Sequence, residues 1–310
     1  MGLQLLKNAG IGRQLFALLL IIFGVGLFIS LFGILVSAAF VDGSIFSRVE
    51  SMGQLQQPGD LSLMKFLQIS TQFGFFILPA MVFGFLMDNS IMNFFKLKNF
   101  PPILISLVAI LLIYISNPLN DWLVYQNNLI KLPAALSGIE EWMRQAESQA
   151  AEMTNIFLKM DNWSDYVVNL LMIGVFAAVG EELLLRGVLQ PLFIKVFKNS
   201  HLGIWLTAFV FSFIHFQFYG FFARLFLGAV LGYFFYYTNN LWIPILSHFF
   251  NNAAAVTYVF ISGTPLYSTN LDGSNAETPN SLYALISFLL VVLGIWWLSR
   301  YHKKSHLSSR

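Results

Sequence analysis

Five ionisable side chains interrupt the apolar stretches of this sequence, namely Glu181, Glu182, His215, Arg224 and His248. Ionisable groups at bilayer depth are costly, so each one needs a physical reason. A carboxylate and a neutral imidazole beside a water molecule can activate that water by general-base catalysis. A second imidazole and a side-chain amide can donate hydrogen bonds to the oxyanion that forms when a peptide carbonyl is attacked. These residue types therefore indicate hydrolysis of an amide bond without a nucleophilic side chain.

The spacing of these residues gives them separate tasks. Glu182 and Arg186 are four residues apart, so on a helix they share one face and can neutralise each other. Glu181 is turned about 100° from Glu182, so its carboxylate points in another direction. His248 and Asn252 are again four residues apart and are expected to face the same cavity. The pattern predicts one acid in an ion pair and the other at a reactive centre.

The expected depth of these residues in the membrane supports a common site. At about 1.5 Å per residue, Glu181, His215, His248 and Asn252 are all expected about 12–20 Å from the cytoplasmic edge. Phe211 lies one turn before His215. The matched depth of these groups on three helices favours one site over separate helix–helix hydrogen bonds.

A second mechanism uses the same residues. A zinc ion held by Glu181, His215 and His248 would activate the water as a metal ligand, and the residue types alone do not separate the two mechanisms. Arg224 begins its span near the outer interface, where its side chain can snorkel to water. Gly228 and Gly232 form a GxxxG pair, which is typical of close helix packing.

The composition excludes an ordinary soluble domain. The chain has 310 residues, of which 57% are hydrophobic and 10% charged, whereas soluble domains carry about 25% charged residues. No cysteine is present, which excludes disulfides, thiolate zinc sites and cysteine nucleophiles from this sequence. The net charge of +2 does not indicate a nucleic-acid partner.

The apolar runs predict an all-α polytopic membrane bundle of about eight transmembrane helices. The expected spans are Phe16–Phe40, Phe66–Met87, Ile103–Ile115 (continuing towards Leu119), Tyr166–Gln190, Leu202–Tyr219, Phe221–Tyr237, Trp242–Ile261 and Leu282–Leu298.

Two connections stand out between these spans. In the polar connection Asn120–Asp165, the segment Ile139–Met160 is expected to be an amphipathic helix along the outer surface. We expect it to cap the bundle; a lid over the substrate site is the alternative. Thr264–Asn280 is polar, with two prolines and a glycine, and indicates a loop.

The basic residues predict the orientation of the chain. With the N-terminus in the cytoplasm, 11 of the 17 Lys and Arg residues lie on the cytoplasmic side. Eight spans then place both termini there. We expect N-terminal membrane helices with an acidic, amphipathic outer segment over residues 1–165 and the catalytic core over 166–261. An outer loop, the last transmembrane helix and a basic cytoplasmic tail follow over 262–310.

Other types of intramembrane protease lack their signatures here. The sequence has no HExxH for a metalloprotease, no pair of Asp residues within the spans and no GxSG for a serine protease. Instead it has EExxxR from Glu181 to Arg186, FxxxH from Phe211 to His215, and HxxxN from His248 to Asn252. This ordered set resembles the CPBP family of membrane proteases, also called Abi, which includes the type II CAAX prenyl endopeptidases. The resemblance covers about residues 166–261.

The resemblance implies a role for each motif residue. Glu181 would activate the water, assisted by His215, and His248 and Asn252 would form the oxyanion site. Supporting roles would fall to Glu182, Arg186 and Phe211. The resemblance favours the metal-free glutamate mechanism, with no cofactor, and keeps zinc as the alternative.

We therefore expect an intramembrane endopeptidase that acts on a membrane-associated protein or peptide, with or without a lipid modification. It would be a multi-pass protein of a bacterial inner membrane. The alternative is a non-catalytic membrane protein for bacteriocin immunity or partner binding on the same fold. A proton-coupled transporter is disfavoured because the ionisable residues occupy only one half of the chain, whereas transporters have matching halves.

Overall fold

The computed structural model describes residues 3–40, 44–51, 59–265 and 278–307, with the backbone alone for residues 46 and 301–307. Over these residues the fold is all-helical and no strand occurs, which confirms the predicted class. The helices are α1 Ile11–Ala38, α2 Ile45–Ser51, α3 Asp60–Met87, α4 Ile91–Phe94, α5 Ile103–Asn128, α6 Ser137–Phe157, α7 Trp163–Phe197, α8 Ser200–Phe213, α9 Phe221–Thr238, α10 Trp242–Ser262 and α11 Ser281–Leu307.

Six of the described helices are long and apolar enough to cross a bilayer: α1, α3, α5, α7, α9 and, over Ser281–Arg300, α11. The other two predicted spans correspond to α8 and α10. The 14 residues of α8 extend about 21 Å, less than a hydrocarbon core of about 30 Å. In α10, His248, Asn251 and Asn252 lie near the middle. The helical membrane bundle is thus established, and the count of eight spans stays a prediction.

The predicted fifth span differs from the observed helix. It was expected to reach Tyr219, but α8 ends at Phe213. The chain turns there because the Ile214 and His215 N–H groups bond back to Val210 and Ser212, and Phe216 takes the left-handed φ of 51°. His215 therefore lies in a turn after the helix and not inside a span.

The bounds of the third span and of the amphipathic helix differ from the predicted ones. The third span extends to Asn128, well past the expected end, and the amphipathic helix forms as Ser137–Phe157. Residues 266–277 of the predicted loop Thr264–Asn280 lie outside the described residues.

The chain divides into two compact units that alternate along the sequence. The first comprises residues 1–95, 153–188 and 252–266, and the second comprises residues 96–152, 189–251 and 267–310. Helices α6, α7 and α10 contribute to both, because the division falls after Glu152, Val188 and Asn251.

In the first unit, α1 packs on α3 through glycines. A Cβ atom on Gly26 would lie 2.5 Å from the Phe75 ring, and one on Gly74 would lie 2.9 Å from Cβ of Ile29. Only one narrow stripe of α1 is buried, and most of its leucine and phenylalanine side chains are exposed. Such an apolar exterior is stable only in an apolar solvent, which is what a bilayer provides.

The second unit has an apolar core built from α5, α9, α10 and α11, with Ile113, Leu231, Phe234, Ile243 and Val291 almost fully buried. Polar bonds fix its helix ends. The Trp242 indole N–H donates to the Leu97 carbonyl at 3.1 Å, and the Ser287 hydroxyl donates to the Ile115 carbonyl at 2.6 Å. The start of α10 and the second turn of α11 are thereby held against the chain around α5.

The GxxxG pair of α9 packs closely, as predicted. A Cβ atom on Gly228 would lie 2.9 Å from the Phe211 ring and 3.1 Å from Cα of Ala208. One on Gly232 would lie 2.8 Å from both Gln190 Oε1 and a methyl group of Ile204. Because these neighbours include backbone and ring atoms, α8 and α9 can approach this closely only with glycine at these positions.

A glycine at the α7–α8 contact provides a test of this packing. A Cβ atom on Gly203 would lie 2.8 Å from the backbone nitrogen of Ile194, so Gly203→Ala must push the two helices apart. We expect a loss of about 1–3 kcal/mol, measured as a lower thermal unfolding temperature in one mild detergent.

The matched control is Gly24→Ala in α1, where a Cβ atom would meet nothing within 4 Å. Alanine there should leave the unfolding temperature unchanged or raise it, because glycine is a poor helix former. Equal unfolding temperatures for Gly203→Ala and wild type would contradict the close contact between α7 and α8.

Candidate active site

The acidic motif of α7 contains a fully buried ion pair. Nη1 of Arg186 donates to Oε1 of Glu182 at 2.7 Å, and both side chains are 0% exposed. This confirms the predicted neutralisation of the second acid. A buried charge is strongly disfavoured without a partner, so each side chain makes the burial of the other tolerable.

The motif also departs from α-helical geometry. Residues Glu182–Leu189 form a π-helix, as do Leu170–Phe176 earlier in the same continuous helix. π-Helical turns are rare, and they occur frequently at functional sites. Their wider turn rotates successive side chains by less than an α-helix does, yet Glu182 and Arg186 still meet.

Glu181 differs from its neighbour in burial, being partly exposed. It follows Gly180, where a Cβ atom would lie 3.0 Å from Cβ of Phe76 and 3.1 Å from Cγ1 of Ile77. The glycine therefore allows α7 to approach α3 closely. This contact fixes the backbone position directly before Glu181.

Asn252 lies in the same unit as the two acids. Its Nδ2 donates to the carbonyl of Ile173, within the first π-helical segment of α7, at 3.0 Å. A side-chain amide nitrogen carries two hydrogens, and this bond uses one of them. Further along, the Tyr166 and Thr257 hydroxyls lie 3.1 Å apart, so the second half of α10 is bonded to α7 at two levels.

Asn169 is a buried polar residue that the sequence analysis did not single out. It is 0% exposed and lies four residues before Ile173 on α7. Neither polar atom of its side chain has a hydrogen-bond partner among the described residues. The signal that could have found it is an amide side chain within an otherwise apolar run, which stands out less in the sequence than an ionisable group.

The second unit brings the two histidines to one aromatic ring. The Phe211 ring centroid is 5.1 Å from that of His215 and 5.9 Å from that of His248, with steep angles between the planes. Gly228 on α9 lies directly against the same ring. His248 is 4% exposed, and His215 is partly exposed. Phe211 therefore packs edge-on against both imidazoles.

The tautomer of His215 follows from one hydrogen bond. Its Nδ1 lies 2.7 Å from the Phe211 carbonyl oxygen, which can only accept. Nδ1 therefore carries the hydrogen, and in the neutral imidazole Nε2 carries the lone pair. A nitrogen with a lone pair at this position can accept a proton from water.

The structure thus brings together two subsets of the predicted site. Glu182 pairs with Arg186 in the first unit, and Phe211 contacts His215 and His248 in the second. The approach of these subsets to one another remains a prediction.

The zinc alternative, with Glu181, His215 and His248 as ligands, joins residues of both units and stays a prediction. Within the described parts of the chain, no three His, Asp or Glu side chains form a group that could hold a metal ion.

Comparisons with known proteins agree with the motifs. Residues 163–254 match the family model of the Rce1-like type II CAAX prenyl endopeptidases, which confirms the resemblance. The uncharacterized protein YpbD of Bacillus subtilis (strain 168) is 28% identical over 91 residues, which cover 28% of this chain and 43% of YpbD. The chain thus spans less than half the length of this relative. No solved structure matches. At the level of family, the match supports a CAAX-type intramembrane protease.

The buried ion pair can be tested by removing one charge or both. Arg186→Met leaves the buried Glu182 carboxylate without its partner and is expected to cost about 3–5 kcal/mol. The double variant with Glu182→Gln removes both charges and should recover much of that loss. The measurement is the thermal unfolding temperature of each purified variant in detergent.

Two results would contradict a mutually dependent pair. One is an Arg186→Met variant as stable as wild type. The other is a double variant as unstable as the single one. Arg144→Met serves as a control, because Arg144 pairs with Glu140 on the partly exposed side of α6 and should cost about 1 kcal/mol or less.

Proposed function

We propose that this chain is an intramembrane endopeptidase that hydrolyses a peptide bond of a membrane-associated protein or peptide. The observation that carries the proposal is the difference between two adjacent acids. Glu182 is fully buried in an ion pair, whereas Glu181 is partly exposed beside it. Two carboxyl groups in such different environments are typical of a site in which one acid is structural and the other takes part in proton transfer.

In the proposed mechanism, Glu181 and Nε2 of His215 bind one water molecule. Glu181 takes a proton from the water molecule, and the water oxygen attacks the carbonyl carbon of the substrate. The tetrahedral intermediate carries a negative oxygen, which accepts hydrogen bonds from His248 and Asn252. When the C–N bond breaks, the leaving amine takes the proton from Glu181. The products are a carboxylic acid and an amine, and transfer of the acid's proton to the amine gives a carboxylate and an ammonium group. The side chains return to their starting states.

The arrangement of the imidazoles supports these roles. The Nδ1 bond to the Phe211 carbonyl fixes the ring of His215 in the tautomer that leaves Nε2 able to accept a proton. Phe211 packs against both rings, so neither can rotate freely. Fixed rings matter because a general base must lie about 2.6–3.2 Å from the proton it accepts.

The substrate and the setting are part of the proposal. The substrate is a membrane-associated protein or peptide, with or without a lipid anchor, and it reaches the site from the cytoplasm or laterally from the bilayer. Both chain termini face the cytoplasm of a bacterial cell. The mechanism needs no metal ion.

The decisive experiment compares peptide termini in membranes from cells that carry wild type, Glu181→Gln or Glu141→Gln. Glu141 is an exposed acid on α6 and serves as the matched control. We expect termini that occur with wild type and the control but fall by about 10²-fold or more with Glu181→Gln, because general-base catalysis contributes that much. Immunoblots must establish equal accumulation of the three proteins. Identical sets of termini would contradict the proposal and favour a non-catalytic role.

The metal-free mechanism is tested on the purified protein. The peptide spanning the identified cleavage site is incubated with the enzyme before and after dialysis against a chelator. We expect an unchanged rate. A loss of about tenfold or more that added zinc restores would establish metal-activated water instead.

A further inference from the structure

The turn that carries His215 is unusually dependent on distant side chains. It comprises residues 214–220 between α8 and α9 and is called the His215 turn below. Within it, Gln217 and Tyr219 are 9% and 5% exposed. Buried backbone groups outside regular structure need hydrogen-bond partners, because leaving them unpaired is costly. The side chains that bond to this turn lie on two helices of the same unit, α6 and α9.

The amphipathic helix α6 contributes a buried carboxylate. Oε2 of Glu147 accepts the backbone N–H of Tyr219 at 3.0 Å, across 72 residues of sequence. Glu147 is 8% exposed, whereas Glu141 and Glu152 on the same helix are exposed. Burial raises the pKa of Glu147 despite this hydrogen bond, so holding the group in that position has a cost.

Two aromatic contacts accompany the hydrogen bond. The Trp142 ring lies 5.2 Å from that of Phe218, and the guanidinium carbon of Arg144 lies 5.0 Å from the centre of the Tyr219 ring. Helix α6 therefore contacts two consecutive residues of the His215 turn through three of its own side chains.

Arg224 holds the other part of the turn. Its Nη1 donates to Oε1 of Gln217 at 2.9 Å, and its Nη2 donates to the Gln217 carbonyl. The guanidinium thus bonds to the chain two residues after His215, and the snorkelling of Arg224 to water stays a prediction. Asn127 at the end of α5 accepts the Phe222 N–H at 3.3 Å where α9 begins.

On the side of the turn that borders a cavity, apolar packing does not take over the role of these hydrogen bonds. Phe213, Phe216 and Phe218 line a cavity of about 330 Å³ that Ile130 and Met143 also border. Side chains beside open space have few neighbours to fix them. The polar bonds from α6 and α9 therefore determine the path of the turn.

We propose that α6 positions the proposed catalytic His215 through the Glu147–Tyr219 hydrogen bond, with Glu147 as a positioning residue. The inference rests on the proposed function for its catalytic consequence. Helix α6 thereby acts as a clamp on the turn and not only as a cap on the bundle. A displacement of about 1 Å at a catalytic group can cost about 10²-fold in rate, so a clamp four residues from His215 matters for catalysis.

The first measurement does not require activity. Hydrogen exchange is followed by mass spectrometry for a peptide covering residues 214–222 in the full-length protein. In Glu147→Ala the Tyr219 amide should exchange about tenfold faster or more, because its acceptor is gone. Glu147→Gln keeps an acceptor oxygen and should restore most of the protection. Glu152→Ala on the exposed face of α6 should match wild type.

The second measurement uses the peptide substrate identified by the terminus comparison. Glu147→Ala should lower kcat by about 10–100-fold with little change in KM, and Glu147→Gln should recover most of it. If Glu147→Ala does not fold, Glu147→Asp, which retracts the carboxylate by one methylene group, should give intermediate exchange and intermediate kcat. Two results would overturn the proposed positioning role of Glu147. One is unchanged hydrogen exchange in the His215 turn of Glu147→Ala, and the other is an equally low kcat for Glu147→Gln and Glu147→Ala.

A Glu181→Gln variant separates the two proposals. If it loses activity while Glu147→Ala equals wild type in exchange and kcat, only the clamp fails. If Glu181→Gln keeps full activity, the proposed function fails, and the exchange data alone then decide whether α6 holds the turn.

Discussion

The buried pair of Glu182 and Arg186 is the constraint on which the rest of the site depends. Neither charge is stable in this environment without the other, so the α7 segment that carries them has one acceptable arrangement. That arrangement fixes the rotation of α7 and with it the direction of the neighbouring Glu181. Because the pair is neutral as a unit, one further acid can be kept beside it in the membrane, and this acid is the one to which we assign the chemistry.

Close helix contacts supply the second requirement, which is precise distance. Glycines remove the Cβ atom where helices meet, at Gly180 for α7 on α3 and at Gly228 for α9 on α8. In each case the glycine lies next to a proposed site residue or its aromatic support. Inside a membrane, packing contacts and polar bonds hold helices together because lipid supplies no hydrophobic driving force between them. The glycines therefore contribute to the site although they carry no chemistry.

Much of this was readable from the sequence. The apolar runs predicted the helices, and the i, i+4 spacing predicted both the pair of Glu182 with Arg186 and the contact of Phe211 with His215. The π-helical stretches were not predictable, since no residue type marks them. The end of α8 was missed because Phe216 adopts a left-handed φ without being glycine. The bond of Glu147 to Tyr219 was missed because contacts across 72 residues leave no local pattern.

The same long separation has a consequence for biosynthesis. Helix α6 emerges from the ribosome well before Tyr219, so for part of synthesis the Glu147 carboxylate lacks the N–H group that it accepts in the folded protein. It can become buried only after the hairpin of α8 and α9 has been made and folded. The docking of α6 is therefore a late step in assembly, and it completes the turn that carries His215 only when most of the membrane helices already exist.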